Sequence, residues 1–155
     1  MKPMDKKIIP LVDALNATGL FETFSSCEGH FPCPHNEPDN GSDYSTAFVL
    51  FRLTLGAREV DVEKFFLFIF HELDRRELRF GCWIGTSKQF FHTPDAEDLE
   101  PAYQIEIKPQ SPCINDSEKR RSVDEGINAL TDITTKYFRQ LNMEIKNSIS
   151  QSCNF

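Results

Sequence analysis

Only one Trp and three Tyr accompany the 14 Phe of this 155-residue chain, and 17 basic residues stand against 24 acidic ones. The longest apolar run, Phe65 to Phe70, covers six residues. Each of these scarcities excludes something. A helix that crosses a membrane needs ~20 predominantly apolar residues, and residues 1–13 lack the continuous apolar core of a signal peptide. A soluble, cytoplasmic protein is expected. A net charge of −7 and a pI near 5.1 repel nucleic acid and anionic lipid unless a basic patch overrides them. The strongest basic run, Lys119-Arg120-Arg121, lies beside Asp116 and Glu118 and reads as a solvated helix end. Neither nucleic acid nor membrane is therefore expected as a partner, and the sequence leaves the oligomeric state open.

Signatures of common chemistries are missing as well. There is no glycine-rich phosphate loop and no G-x-G-x-x-G, so Rossmann-type nucleotide binding and kinase chemistry have no support. His71-Glu72 resembles half of a zinc-protease helix, but Arg75 stands where the second histidine belongs. Five cysteines at irregular spacing point to reduced thiols rather than a disulfide framework.

What is present suffices for one domain. With 39% hydrophobic residues, a chain of this length buries a core without covalent staples. The expected core is rich in Phe.

The element pattern alternates between two periods. Ile9 to Thr18 is expected to form a short helix, with Pro10 tolerated in its first turn, Gly19 ending it, and Leu11, Val12 and Leu15 facing inward. Phe21 to Cys27 reads as a strand. Residues 28–44, with three prolines and two glycines, read as a long loop. Thr46 to Leu55 alternates, with Ala47, Val49, Phe51, Leu53 and Leu55 on one face. Asp61 is expected to cap a helix over Val62 to Glu77 whose buried face is Val62, Phe65, Phe66, Ile69 and Leu73, widened by Phe68 and Phe70. Leu78 to Ile84 and Tyr103 to Lys108 alternate as a third and a fourth strand, separated by an acidic loop over 93–101, and Trp83 is assigned to the core. Ser122 and Glu125 have the spacing of a capping box at the head of the last helix, with Val123, Ile127, Leu130, Thr134, Tyr137, Phe138, Leu141 and Ile145 on one face.

The order α-β-β-α-β-β-α implies an α+β fold: a two-layer domain with a mostly antiparallel four-stranded sheet and helices on one face. It spans residues 1–148, followed by a frayed tail over 149–155.

The densest chemistry is Ser25-Ser26-Cys27-Glu28-Gly29-His30, at the predicted end of the first strand. Cys27, His30, Cys33 and His35 follow the spacing Cys-x2-His-x2-Cys-x-His, residue types that zinc prefers. The Pro32-Cys33-Pro34 segment is expected to be extended, which points Cys33 and His35 in different directions. Cys27 is also a candidate nucleophile, with Glu28 or His30 as its acid or base. Ser25, Ser26 and Gly29 are candidates for holding a ligand at the turn. His92 is placed where it could approach this site from the third strand.

The helix Ile9-Pro10-Leu11-Val12-Asp13-Ala14-Leu15-Asn16, followed by a strand and the Ser25–His30 segment, resembles the opening of the wybutosine-synthesis tRNA methyltransferase family. It is also similar to small bacterial and phage proteins with a Ser-Cys-Glu-Gly-His segment. The likeness covers the first third of the chain, and His30 stands where the methyltransferases have Arg. It implies an α+β domain with its site at this turn and an S-adenosylmethionine-like ligand. Three functions are thus open: a domain binding a small ligand or a metal such as zinc at the turn, an enzyme related to these methyltransferases, or an interaction module using the open sheet face.

Overall fold

The computed structural model describes residues 5–31, 46–92, 99–110 and 115–153. It contains α1 (Ile9–Ala17), β1 (Phe21–Cys27), β2 (Ala47–Leu53), α2 (Glu59–Leu73), β3 (Cys82–His92), β4 (Leu99–Pro109) and α3 (Asp116–Ser152). The four strands form one sheet in the order β1-β2-β4-β3, and all three pairings are antiparallel. This is the α+β architecture that the alternation of periods implies.

One face of the sheet is dry. Val49 and Phe51 of β2 and Ile105 and Ile107 of β4 are buried at alternate positions, as a half-buried strand requires. The helices cover them with Leu11 and Leu15 of α1, Val62, Phe65 and Ile69 of α2, and Val123, Ile127, Leu130 and Ile133 of α3. The Phe-rich core is real: the ring of Phe21 lies 4.9 Å from that of Phe51 and 5.1 Å from that of Phe65. Gly126 lets α3 approach the sheet closely, since a Cβ there would come within 2.7 Å of Ile107 Cγ2 and 2.9 Å of Cys82 Sγ. Burial against this helix, with Glu125 nearby, pushes the Cys82 thiol up to about 11, which leaves it an inert packing group at neutral pH.

The other face is open. Trp83 is 51% exposed there beneath Lys108, whose ammonium lies 5.2 Å from the ring, so the expected core tryptophan is a surface one. Its position opposite Lys108 puts it out of phase with the buried Ile84 side of β3. The β3–β4 hairpin outruns β2, and Phe91 near its tip meets Phe24 of β1 edge-on at 6.2 Å.

Several expected boundaries shift. The third strand begins at Cys82 and runs to His92; residues 78–81 form a turn, which leaves Phe80 exposed. The fourth begins at Leu99, inside the segment expected to be a loop. β2 ends at Leu53, so Leu55 is fully exposed while Thr46, expected outside, is buried. In α2 Arg58 is the N-cap and Asp61 sits at the third helical position, accepting from the Arg58 amide at 2.8 Å. The helix therefore starts ahead of the residue expected to cap it. Phe70, expected to widen the buried face, is 38% exposed.

α3 departs furthest. Asn115, not Ser122, is its N-cap, and the Asn115 side chain accepts from the Glu118 amide at 2.9 Å. Ser122 is buried two turns in, donating to the Gly81 carbonyl. At the far end the helix continues to Ser152, where the sequence predicts a frayed tail, and Ile145 is exposed instead of packed. No helix among the described residues is long and apolar enough to cross a membrane.

Candidate metal centre

β1 ends at Cys27 because the chain must turn at Gly29, whose φ of +77° is a conformation glycine adopts without steric cost. A Cβ at this position would only touch the Ala47 amide and the Phe31 ring, both 3.4 Å away, so it is the backbone conformation that calls for glycine. The turn closes locally through the Gly29 amide, which donates to Cys27 Sγ at 3.4 Å.

The segment ahead of α1 lies against this turn. Asp5 Oδ2 accepts from the Glu28 amide at 3.3 Å and lies 3.6 Å from His30 Nε2. The Lys7 amide donates to Glu28 Oε2 at 2.7 Å, tying the segment that carries Asp5 to the turn that carries His30. The candidate acid–base residue Glu28 thus has one carboxylate oxygen engaged in holding the segment.

The turn is also latched from the opposite side. Arg120 on α3 donates through Nη1 to the Gly29 carbonyl and through Nη2 to the Glu28 carbonyl, both at 2.8 Å. Its Nε donates to Asp124 Oδ1 at 2.7 Å, and Lys7 Nζ reaches Asp124 Oδ2 at 2.9 Å. The guanidinium also stacks over Phe31, 5.3 Å from the ring centroid. A planar fork with five donors suits this task, and a lysine could not reproduce it. Arg120, expected as part of a solvated helix end, is therefore built into the turn.

Donor atoms of Asp5, Cys27 and His30 all lie within 4.8 Å of one another, and all three residues are half-buried. Zinc–ligand bonds of about 2.0–2.3 Å put tetrahedral donors roughly 3.3–3.8 Å apart, so no side of this triangle exceeds that spacing by more than about 1.5 Å. Carboxylate, thiolate and imidazole are all ligands that zinc accepts.

Among the expected site residues, Cys27, Glu28, Gly29 and His30 come together, and Asp5 joins them. Ser25 and Ser26 lie upstream inside β1, opposite Leu50 and Val49. Cys33 and His35 lie outside the described residues. His92 does not approach. The register runs from Cys27 through Phe48 and Glu106 to Gly85, and His92 is seven residues further along β3, about 23 Å at strand rise. His71 is exposed on α2.

Sequence reasoning missed Asp5 and the latch. Arg120 and Asp124, spaced i and i+4 on one helix, were a legible pair, but nothing in the sequence says that the pair would reach residue 29. No protein-family model, curated protein or solved structure is significantly similar to this chain.

Proposed function

We propose that the protein binds a divalent transition-metal ion, zinc by ligand type, through the Asp5 carboxylate, the Cys27 thiolate and the His30 imidazole. The convergence of these three donors from two separate segments carries the reading. Chelation by three protein ligands leaves a fourth tetrahedral position, which a water or a small-molecule donor fills in sites of this class. A bound ion would supply Lewis acidity there. The chain's own residues hold the ligands: Lys7 and Glu28 fix Asp5 against the turn, and Arg120 fixes the backbone between Cys27 and His30.

Elemental analysis of the purified, zinc-reconstituted protein tests this. About one zinc per chain is expected, lost in Cys27→Ala, His30→Ala and bound more weakly in Asp5→Asn. An Arg120→Ala variant, which loosens the support and leaves the ligands intact, should also bind more weakly. Zinc content unchanged by Asp5→Asn and lost with Cys33→Ala, His35→Ala would transfer the site to the Cys/His set of the sequence motif. Protein that stays metal-free after reconstitution would sink the reading.

A further inference from the structure

The outer strands of the sheet are β1 and β3, and among the described residues the outward amides and carbonyls of each have no neighbouring strand. The two edges are built differently. β1 covers seven residues, is interrupted by a register shift between Thr23 and Ser25, and exposes Glu22, features that discourage a further strand from adding. β3 covers eleven residues, about 35 Å of chain, and pairs with β4 from Cys82 to His92 without a shift. It contains no proline. Its one lysine, Lys88, is drawn onto Glu59 of α2 and over the rings of Phe90 and Tyr103. A long edge without such guards is a template for pairing with another chain.

We infer that β3 pairs with β3 of a second copy of the chain, antiparallel about a two-fold axis perpendicular to the sheet at Ser87, so that two four-stranded sheets become one. Ser87 is the midpoint of the strand, and this register therefore uses all eleven residues. Directly opposed residues of antiparallel strands lie on the same face, and counting equally from Ser87 gives the pairs. On the open face Trp83 meets the second copy's Phe91. On the helix face Ile84 meets the second copy's Phe90, and Thr86 meets its Lys88. Trp83, Phe90 and Phe91 are 51%, 59% and 37% exposed, and aromatic–aromatic and aromatic–β-branched opposites are among the pairs that stabilise sheets.

Moving the axis by one residue loses this match. An axis at Lys88 sets Lys88 against itself, and one at Thr86 sets Trp83 against Gln89 and Ile84 against Lys88. The contact is isologous, and the edges it leaves are the two interrupted β1 strands, so assembly stops at two copies.

Sedimentation of the full chain from about 1 µM to 1 mM provides the test. The weight-average mass should climb from 17.8 kDa towards twice that value. Ser87 is exposed, so substitution there spares the single chain. Ser87→Lys sets two ammonium groups against each other on the axis and Ser87→Glu two carboxylates, and each should weaken self-association about 3-fold. An equimolar mixture of the two variants should associate as tightly as the unsubstituted chain, because each then faces the opposite charge. That recovery also shows both variants to be folded. A monomer throughout the range would overturn the inference. So would self-association that either substitution leaves unchanged, which would put the contact elsewhere, or a mixture no tighter than its components, which would put the axis away from Ser87.

Discussion

The two halves of α3 share one backbone and one set of helix-forming rules, yet different things hold them. From Asn115 to Leu141 the helix is the spine of the domain: it packs on the sheet and on both other helices, ties the Cys27–His30 turn through Arg120, and pairs Lys136 with Glu72. From Asn142 to Ser152 every residue is exposed, and the hydrogen bonds found there among the described residues lie within the helix and its cap. Isolated helices of fewer than ~12–15 residues are marginal in water. The comparison teaches that helical period tells where a helix can pack, and that the rest of the fold decides where it does.

The contrast can be broken by substitution along the helix. Leu130 is fully buried, and Leu130→Ala should cost about 3 kcal/mol of unfolding free energy, read as a lower urea midpoint at unchanged slope. A loss below ~1 kcal/mol would mean that the first half is not the spine described here.

The next effect is electrostatic. Lys136 donates to both carboxylate oxygens of Glu72, at 2.9 and 2.8 Å, and this hydrogen bonding, the largest influence, holds the Glu72 carboxyl below its ordinary value of 4.5. A carboxyl depressed in the folded state contributes stability that is present above its unfolded value and lost as pH falls through the folded one. Urea midpoints taken between pH 6 and pH 3 should therefore fall below about pH 4.5, and less steeply in Glu72→Gln. Identical slopes in the two proteins would remove the pair from the account.

The smallest effect belongs to the second half. Ile145→Ala should change the unfolding free energy by less than ~0.5 kcal/mol, as exposed positions do. A loss comparable to that of Leu130→Ala would show Ile145 packed within its own chain and would sharpen the boundary by moving it past Leu141.

Much of this fold was legible. The bounds of β1, the inward stripe of α1 and the alternation of β2 follow from periodicity and from glycine and proline placement, which are local properties. The start of α3 shows how local signals compete. Ser122-x-x-Glu125 and Asn115-x-x-Glu118 both have capping-box spacing, and the choice between them depends on whether Ser122 finds a partner elsewhere. It does, in the Gly81 carbonyl. Trp83 was misassigned because its strand alternates on both sides of a sheet with only one covered face. For the candidate site, Cys27, Glu28, Gly29 and His30 stand out as neighbours in sequence, while Asp5 does not.

By itself, then, the sequence determined the number, order and type of elements, the antiparallel two-layer architecture and the clustering of chemistry at the end of β1, because each of these rests on spacing within a few residues. Tertiary structure alone decided that Asp5 faces Cys27 and His30, that Arg120 reaches across 91 residues to the Gly29 carbonyl, and that α3 outgrows the body it supports. Those outcomes depend on how the sheet register and the helix packing bring distant segments together, and no local pattern encodes that distance.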